Sequence, residues 1–161
     1  LLSTCYQHPG PAAVRYPRGK GPGELPDASL NPVDVGRAIT RREGRSGIVI
    51  LAFGSRVFEA LKAAQNLDAT VIDMRWIKPL DEATLAQYAD AKLIVTVEEH
   101  QRMGGAGSAV GEYYVDQGLA VDLLSLGLPD RFEAHANPDL MLSRTRLDAH
   151  GIQAAIEERL S

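Results

Sequence analysis

The chain has 161 residues, 45% of them hydrophobic and 24% charged, with a formal net charge of −4. That length suits one domain, or one domain with part of a second, and the acidic balance argues against bulk attraction to nucleic acid or an anionic membrane. No apolar run approaches the roughly 20 residues that span a bilayer, LLSTCYQHPG lacks the pattern of a secretion signal, and the single cysteine, Cys5, excludes an internal disulfide and a cysteine-rich metal site. A cytoplasmic protein is expected, and the missing initiator Met suggests a piece of something longer.

From the N-terminus, LLSTCYQ reads as the end of a helix, HPGP as a turn and AAVRYP as a strand. Residues 1–19 therefore read as the tail of a domain. Residues 20–34 carry three of the nine prolines and few β-branched side chains, the composition of an extended, exposed linker. A further domain is expected over 35–161. Its strands are predicted at 35–42 (VGRAITRR), 48–53 (IVILAF), 70–75 (TVIDMR), 93–97 (LIVTV) and 120–126 (AVDLLSL). Helices are predicted over 56–67, 81–89 and 106–117, with more near the C-terminus. IVILAF and LIVTV are almost continuous apolar runs, as strands buried on both faces require. Strands alternating with helices imply an α/β fold: a mostly parallel five-stranded sheet with helices on both faces. The hairpin-like link at Glu43-Gly44 marks the first strand as the antiparallel one. Asp81 is an N-cap candidate and Gly118 a C-cap candidate.

Several segments carry possible chemistry. Gly104-Gly105-Ala106-Gly107-Ser108 follows a strand and opens a helix, where backbone N–H groups can cradle phosphate. The dinucleotide pattern fails, because Val110 stands where the third glycine belongs, and no Gly-Lys-Ser/Thr follows. Close chain packing is the preferred reading. Glu98-Glu99-His100 lies at the end of a strand, where open α/β sheets place ligands. Strand neighbours point to opposite faces, so only Glu98 and His100 could share one for acid–base work. A polar network that fixes the glycine-rich turn, or meets a partner subunit, is preferred. In DMRWIKPLD, pairing of Arg75 or Lys78 with a carboxylate at an interface is expected over substrate binding. His8, His135 and His150 are scattered without metal-ligand spacing. AVRYPRG puts two guanidinium groups, Arg15 and Arg18, around Tyr16-Pro17 at a strand exit. Either phosphate binding or an interdomain salt bridge would use them.

AVRYPRG, VGRAITRREG, ILAFG, ATVIDMRWIKPLDEATL, LIVTVEEH, MGGAGSAVGE and LSLGLPDRF occur in that order. Together they resemble the C-terminal part of the 1-deoxy-D-xylulose-5-phosphate synthases, thiamine-diphosphate enzymes of the transketolase group. The likeness covers almost the whole chain. It implies that residues 1–19 end a pyrimidine-binding domain and that 35–161 form the transketolase C-terminal-type domain. It implies a parent enzyme that condenses pyruvate with D-glyceraldehyde 3-phosphate to 1-deoxy-D-xylulose 5-phosphate and CO2, for isoprenoid, thiamine and pyridoxal synthesis. Thiamine diphosphate and Mg2+ are implied as cofactors of the parent, with their motifs upstream and none in this chain. No catalytic residue and no cofactor or metal ligand is expected here, and the piece alone is expected to be inactive. The implied substrate-binding residues are Arg18, on the phosphate, and Arg15, as a supporting cation. Ala136 and Arg146 stand where the family often has glycines, and His100-Gln101-Arg102 replaces a more apolar segment.

A homodimer is expected for the parent, through a sheet edge or the helix from Ala106. Val110, Tyr113 and Tyr114 suggest more apolar surface there than one stripe needs. Three other readings stand beside this one. They are the C-terminal part of a 2-oxoacid dehydrogenase β-subunit, which shares a weaker KPLD and VEE; an assembly module without chemistry; and a free-standing nucleotide-binding module.

Overall fold

The computed structural model describes residues 1–16 and 29–161. Most of the expected linker, together with Arg18, lies outside the described residues. A short helix, α1 (Leu2–Gln7), comes first. Its Ser3 hydroxyl donates to the Leu30 carbonyl at 2.7 Å, and its Thr4 hydroxyl accepts from Val33 N–H at 2.9 Å. The chain on the far side of residues 17–28 is thereby tied back to α1.

The remaining elements are β1 (Ile39–Arg42), β2 (Ile48–Ala52), α2 (Arg56–Leu67), β3 (Thr70–Asp73), α3 (Glu82–Gln87), β4 (Leu93–Gln101), α4 (Ala106–Asp116), β5 (Leu123–Leu128), α5 (Pro138–Arg144) and α6 (Ala149–Leu160). The five strands form one sheet in the order β1-β3-β2-β4-β5. β2–β3, β2–β4 and β4–β5 are parallel, and β1–β3 is antiparallel. The expected α/β architecture is therefore present, including the single antiparallel strand. The neighbour of that strand is β3 rather than β2. Residues 43–47 do not form a hairpin turn; they carry the chain past β3 to the sheet centre. Two N–H groups, of Arg45 and Ser46, bond the Asp68 carbonyl on the way, at 2.9 and 3.2 Å.

The sheet is buried from both sides because its central strands alternate between two apolar layers. Ile48, Ile50 and Ala52 of β2 and Leu93, Val95 and Val97 of β4 face Val57, Ala60 and Ala64 of α2 and Ile152 and Ile156 of α6. Val49, Leu51 and Ile94 face Leu85 of α3 and Ala106, Val110 and Tyr114 of α4. Nearly all these side chains are less than 5% exposed. Fully burying each large aliphatic one stabilises by about 1.5–3 kcal/mol. Val110 and Tyr114 are spent in this core at 0% and 1% exposure, so they do not supply the free apolar surface expected of α4. Val115, on its outer side, stays 77% exposed. Burial pushes the Tyr114 phenol up to about 12, helped by neighbouring Tyr113. Its hydroxyl donates to the Leu85 carbonyl at 2.9 Å.

Several boundaries differ from the sequence reading, each for a packing reason. Residues 11–16 form no strand, because an extended segment needs a ladder partner and none is described beside them. β1 starts at Ile39 instead of residue 35, after a turn that contains Gly36. β3 stops at Asp73, because Arg75 takes a left-handed conformation (φ +54). The guanidinium of Arg75 donates twice to the Arg37 carbonyl, at 3.0 and 2.6 Å, and so meets a carbonyl rather than the expected carboxylate. β4 continues to Gln101, and β5 runs over 123–128. Arg146, at a position where glycine was the expected family residue, has φ +59. Its guanidinium grips Glu158 with two bonds of 3.0 and 2.8 Å.

Candidate functional site

β2 and β4 lie side by side at the centre of the sheet. From β2 the chain crosses to β3 on one side, and from β4 it crosses to β5 on the other. The carboxyl ends of these two strands therefore flank the point where the winding reverses, which is where open α/β sheets form a ligand crevice. Each end turns through glycine into a helix: Gly54-Ser55 into α2, and Gly104-Gly105 into α4. The sequence at this point is Glu98-Glu99, and the strand pleat sends the two carboxylates to opposite layers.

Glu98 points to the α4 layer and is 3% exposed. Its two carboxylate oxygens accept from Ala106 N–H and Gly107 N–H, each at 2.8 Å. Those are orphan donors in the first turn of α4, and the positive end of the helix dipole lies on the same spot. Glu98 thus fills the place a phosphate would take. A Cβ on Gly105 would overlap the Gln101 carbonyl and both Glu98 oxygens, and one on Gly107 would come within 2.5 Å of the Thr96 hydroxyl. The glycines are there for close packing, and the polar network is the one preferred from the sequence. Glu98 and His100 do not form an acid–base pair. His100 is exposed, with Nδ1 3.1 Å from the Gln101 carbonyl.

Glu99 points to the α2 layer and is half exposed. Ser55 Oγ donates to its Oε2 at 3.3 Å. Arg56 Nε lies 3.3 Å from the same oxygen, close as an ion pair but not aligned as a hydrogen bond. Arg56 is 7% exposed and is held from behind. One of its Nη atoms donates to the Leu147 carbonyl at 3.1 Å, the other to Ser55 Oγ at 3.3 Å. Arg15, far away in sequence, donates from Nη2 to the Glu99 backbone carbonyl at 3.2 Å. Of the two arginines singled out from AVRYPRG, Arg15 is thus placed at the central strand ends, and Arg18 lies outside the described residues. Sequence reasoning missed Ser55 and Arg56. The only local signal was a polar Gly-Ser-Arg directly after a fully buried strand.

A second polar hub stands at the exit of β3. Asp81 is 4% exposed and caps α3 by accepting from Thr84 N–H at 3.1 Å. It also accepts from Ala38 N–H at 2.8 Å and lies 3.5 Å from Arg37. Burial alone would raise its pKa, but the backbone donors and Arg37 outweigh that and hold it below the usual value. Among the described residues no three His, Cys, Asp or Glu are grouped to hold a metal ion, and no helix is long and apolar enough to cross a membrane.

A doubly wound parallel sheet with one antiparallel edge strand, its polar residues gathered at the switch point, defines the class of this domain. The pattern of the transketolase C-terminal domain family matches residues 36–152, and the chain belongs to that family. It is similar over its whole length to proteins named 1-deoxy-D-xylulose-5-phosphate synthase. Identity is 53% to that of Marinomonas sp. (strain MWYL1) and 54% to that of Pseudomonas syringae pv. syringae (strain B728a), covering 100% of this chain. It is 52% to that of Pseudomonas aeruginosa (strain LESB58), covering 99%. The chain spans 26% of the length of each. Among solved structures, a split-gene transketolase described as an inactive β4 tetramer superposes with a TM-score of 0.73 at 30% identity. That match covers 84% of this chain and 46% of the other.

Proposed function

We propose that the chain is the C-terminal part of a 1-deoxy-D-xylulose-5-phosphate synthase, a thiamine-diphosphate enzyme that condenses pyruvate with D-glyceraldehyde 3-phosphate and releases CO2. The observation that carries this reading is identity of 52–54% across essentially the whole chain to proteins of that name. Residues 1–19 then close the pyrimidine-binding domain, 20–34 link, and 35–161 form the C-terminal domain. Such identity also weighs against a 2-oxoacid dehydrogenase β-subunit. The parent works as a homodimer in the cytoplasm.

In this reading Arg18 binds the substrate phosphate and Arg15 supports it. A guanidinium offers a planar two-point grip that suits phosphate and an ammonium does not. The diphosphate of the parent's cofactor does not fit the glycine-rich helix start described in this domain. That helix start, of α4, already holds the Glu98 carboxylate. No step through the cofactor is derived from this chain, whose own work is to bind and to orient.

The test uses the full-length protein with pyruvate, glyceraldehyde 3-phosphate, thiamine diphosphate and Mg2+. CO2 release is expected from the whole enzyme and none from residues 1–161 alone, in keeping with the inactive β4 tetramer of the split-gene transketolase. Arg18→Ala should raise KM for glyceraldehyde 3-phosphate about tenfold to a hundredfold, from a charge-assisted bond of about 1.5–3 kcal/mol. KM for pyruvate should not move. Absence of turnover in the whole protein would overturn the activity, and an unchanged glyceraldehyde 3-phosphate KM would overturn the role of Arg18.

A further inference from the structure

We propose that the start of α2 is a binding site for a phosphate group, built from Arg56, Ser55 and two free backbone N–H groups, in which the Glu99 carboxylate stands as a displaceable internal anion. The site does not rest on the functional reading above, and its donors are none of the residues assigned there to substrate.

The donors are present and under-used. α2 is 12 residues long, so it carries a full dipole and a first turn of orphan N–H groups. Its N-cap, Ser55, makes no capping bond with its side chain. The Val57 and Phe58 N–H groups turn back to the Gly54 and Ser55 carbonyls at 3.3 Å. Among the described residues, the Ser55 and Arg56 N–H groups meet no acceptor. Gly54 before them is exposed, and a Cβ there would have nothing within 4 Å, so the turn is uncrowded. The acidic residue of the first turn, Glu59, is already engaged by Lys62 at 2.7 Å and by the Ala149 N–H at 3.1 Å.

Arg56 is the independent sign of a ligand. It is only 7% exposed, and one Nη is pinned from behind to the Leu147 carbonyl at 3.1 Å. The opposite edge, Nε with the second Nη, is the planar two-point fork that suits an oxyanion. Nε makes no hydrogen bond, and the Nη beside it reaches only Ser55 Oγ, at 3.3 Å. Burying a guanidinium is costly, and an apolar residue of similar volume would often serve stability as well or better. A buried fork with an unfilled donor, set at a helix start, is understandable as a device for gripping an anion.

The Glu99 carboxylate fills this place loosely. At α4, Glu98 is 3% exposed and accepts two helix N–H groups at 2.8 Å each, a permanent closure. Glu99 is half exposed and accepts no helix N–H. Its Oε2 meets Ser55 Oγ and Arg56 Nε at 3.3 Å, well beyond the roughly 2.7–2.9 Å of a good charge-assisted bond. A carboxylate so held can swing out to water. Three kinds of donor then converge from different directions: the fork, the hydroxyl and the paired N–H groups. A tetrahedral oxyanion matches them better than a flat carboxylate. The place is also the switch point of the sheet, where open α/β sheets take ligands. A second guanidinium, that of Arg15, stands at the rim on the Glu99 carbonyl.

The experiment uses the full-length protein and needs no turnover. Amide hydrogen exchange of the peptide over residues 54–58 is followed while inorganic phosphate is titrated, and again with glycerol 3-phosphate. Exchange there should slow severalfold as the free N–H groups find an acceptor, and the concentration at half protection gives the apparent Kd. Glu99→Gln removes the competing charge and keeps the shape, so it should tighten phosphate binding about twofold to fivefold. Arg56→Met should weaken it about tenfold to a hundredfold, the value of a charge-assisted bond. Arg56→Lys, which keeps a charge in the core and guards against misfolding of the Met variant, should recover only part of the loss. Tighter binding of glycerol 3-phosphate than of phosphate identifies a phosphate ester as the ligand, and the reverse identifies free phosphate; either supports the site. If Glu99 is instead a fixed part of the fold, phosphate will leave exchange over 54–58 unchanged in wild type and in Glu99→Gln, and that overturns the proposal. Binding that weakens in Glu99→Gln, or that ignores Arg56→Met and Arg56→Lys, overturns it as well. A full-length protein without synthase turnover would end the functional reading and leave this measurement unaffected.

Discussion

The starts of α2 and α4 are built alike and used differently. Both follow a central parallel strand, both turn through glycine, and both lie at the carboxyl edge of the sheet. At α4 the buried Glu98 closes the helix end from below and Gly105 lets the chain lie directly on it. At α2 the N-cap Ser55 makes no capping bond with its side chain; it turns outward to Glu99. One helix start is finished internally. The other presents Ser55, Arg56 and Glu99 to a segment 84 residues away in sequence. A strand–glycine–helix unit therefore does not announce a ligand site. What matters is whether a protein carboxylate already occupies the helix end.

The comparison can be broken most severely at α4. Glu98→Ala would leave two buried N–H groups unpaired, at a cost of about 3–5 kcal/mol. In a domain of this size that is a fall of roughly 10 °C or more in melting temperature, measurable by calorimetry. Next comes Gly105→Ala, where overpacking against Gln101 and Glu98 should cost about 2–3 kcal/mol by urea unfolding.

The start of α3 sharpens the contrast, because it is capped by its own Asp81. Asp81→Ala should cost about 1–3 kcal/mol at neutral pH through the lost cap and the unpaired Ala38 N–H. The folded pKa of Asp81 is lowered, so its carboxylate contributes stability above the unfolded value of about 3.8 that is lost as pH falls through the folded one. The gap between wild type and variant should therefore narrow below about pH 3.8. Unfolding series at pH 7 and pH 3 check this, and a gap that widens in acid would contradict the assignment.

At α2 the effects should be smallest. Gly54 has φ +63 with nothing within 4 Å of a Cβ, so Gly54→Ala should cost about 1–2 kcal/mol from backbone strain alone. Glu99→Gln should cost less than about 1 kcal/mol of stability, because its ion pair is half exposed. A larger loss there than at Glu98 would reverse the contrast between the two helix starts.

Much of this was legible in one dimension. IVILAF and LIVTV announced strands buried on both faces, and their alternation with helices gave a mostly parallel sheet of five strands, because period and apolar content are local properties. Asp81 as an N-cap was legible for the same reason: a cap and the N–H it accepts from are three residues apart. The pleat alone separated Glu98 from Glu99.

Other features needed the third dimension. The partner of β1 is β3, because a neighbour in the sheet is chosen by where the chain can cross, not by which strand follows next. AAVRYP read as a strand by composition, but strands exist only beside other strands. Val110 and Tyr114 looked surplus on a helix until the sheet was packed beneath them. Arg56 gave no sign that it would be buried, and nothing in AVRYPRG named Glu99. By itself the sequence determined the layers, the sheet and the candidate cations, since each depends on residues close together in the chain. Only the tertiary structure decided that Glu98 stoppers one helix while Glu99 turns to Arg56, Ser55 and Arg15, since those partners lie up to 84 residues away and meet only when the sheet is complete.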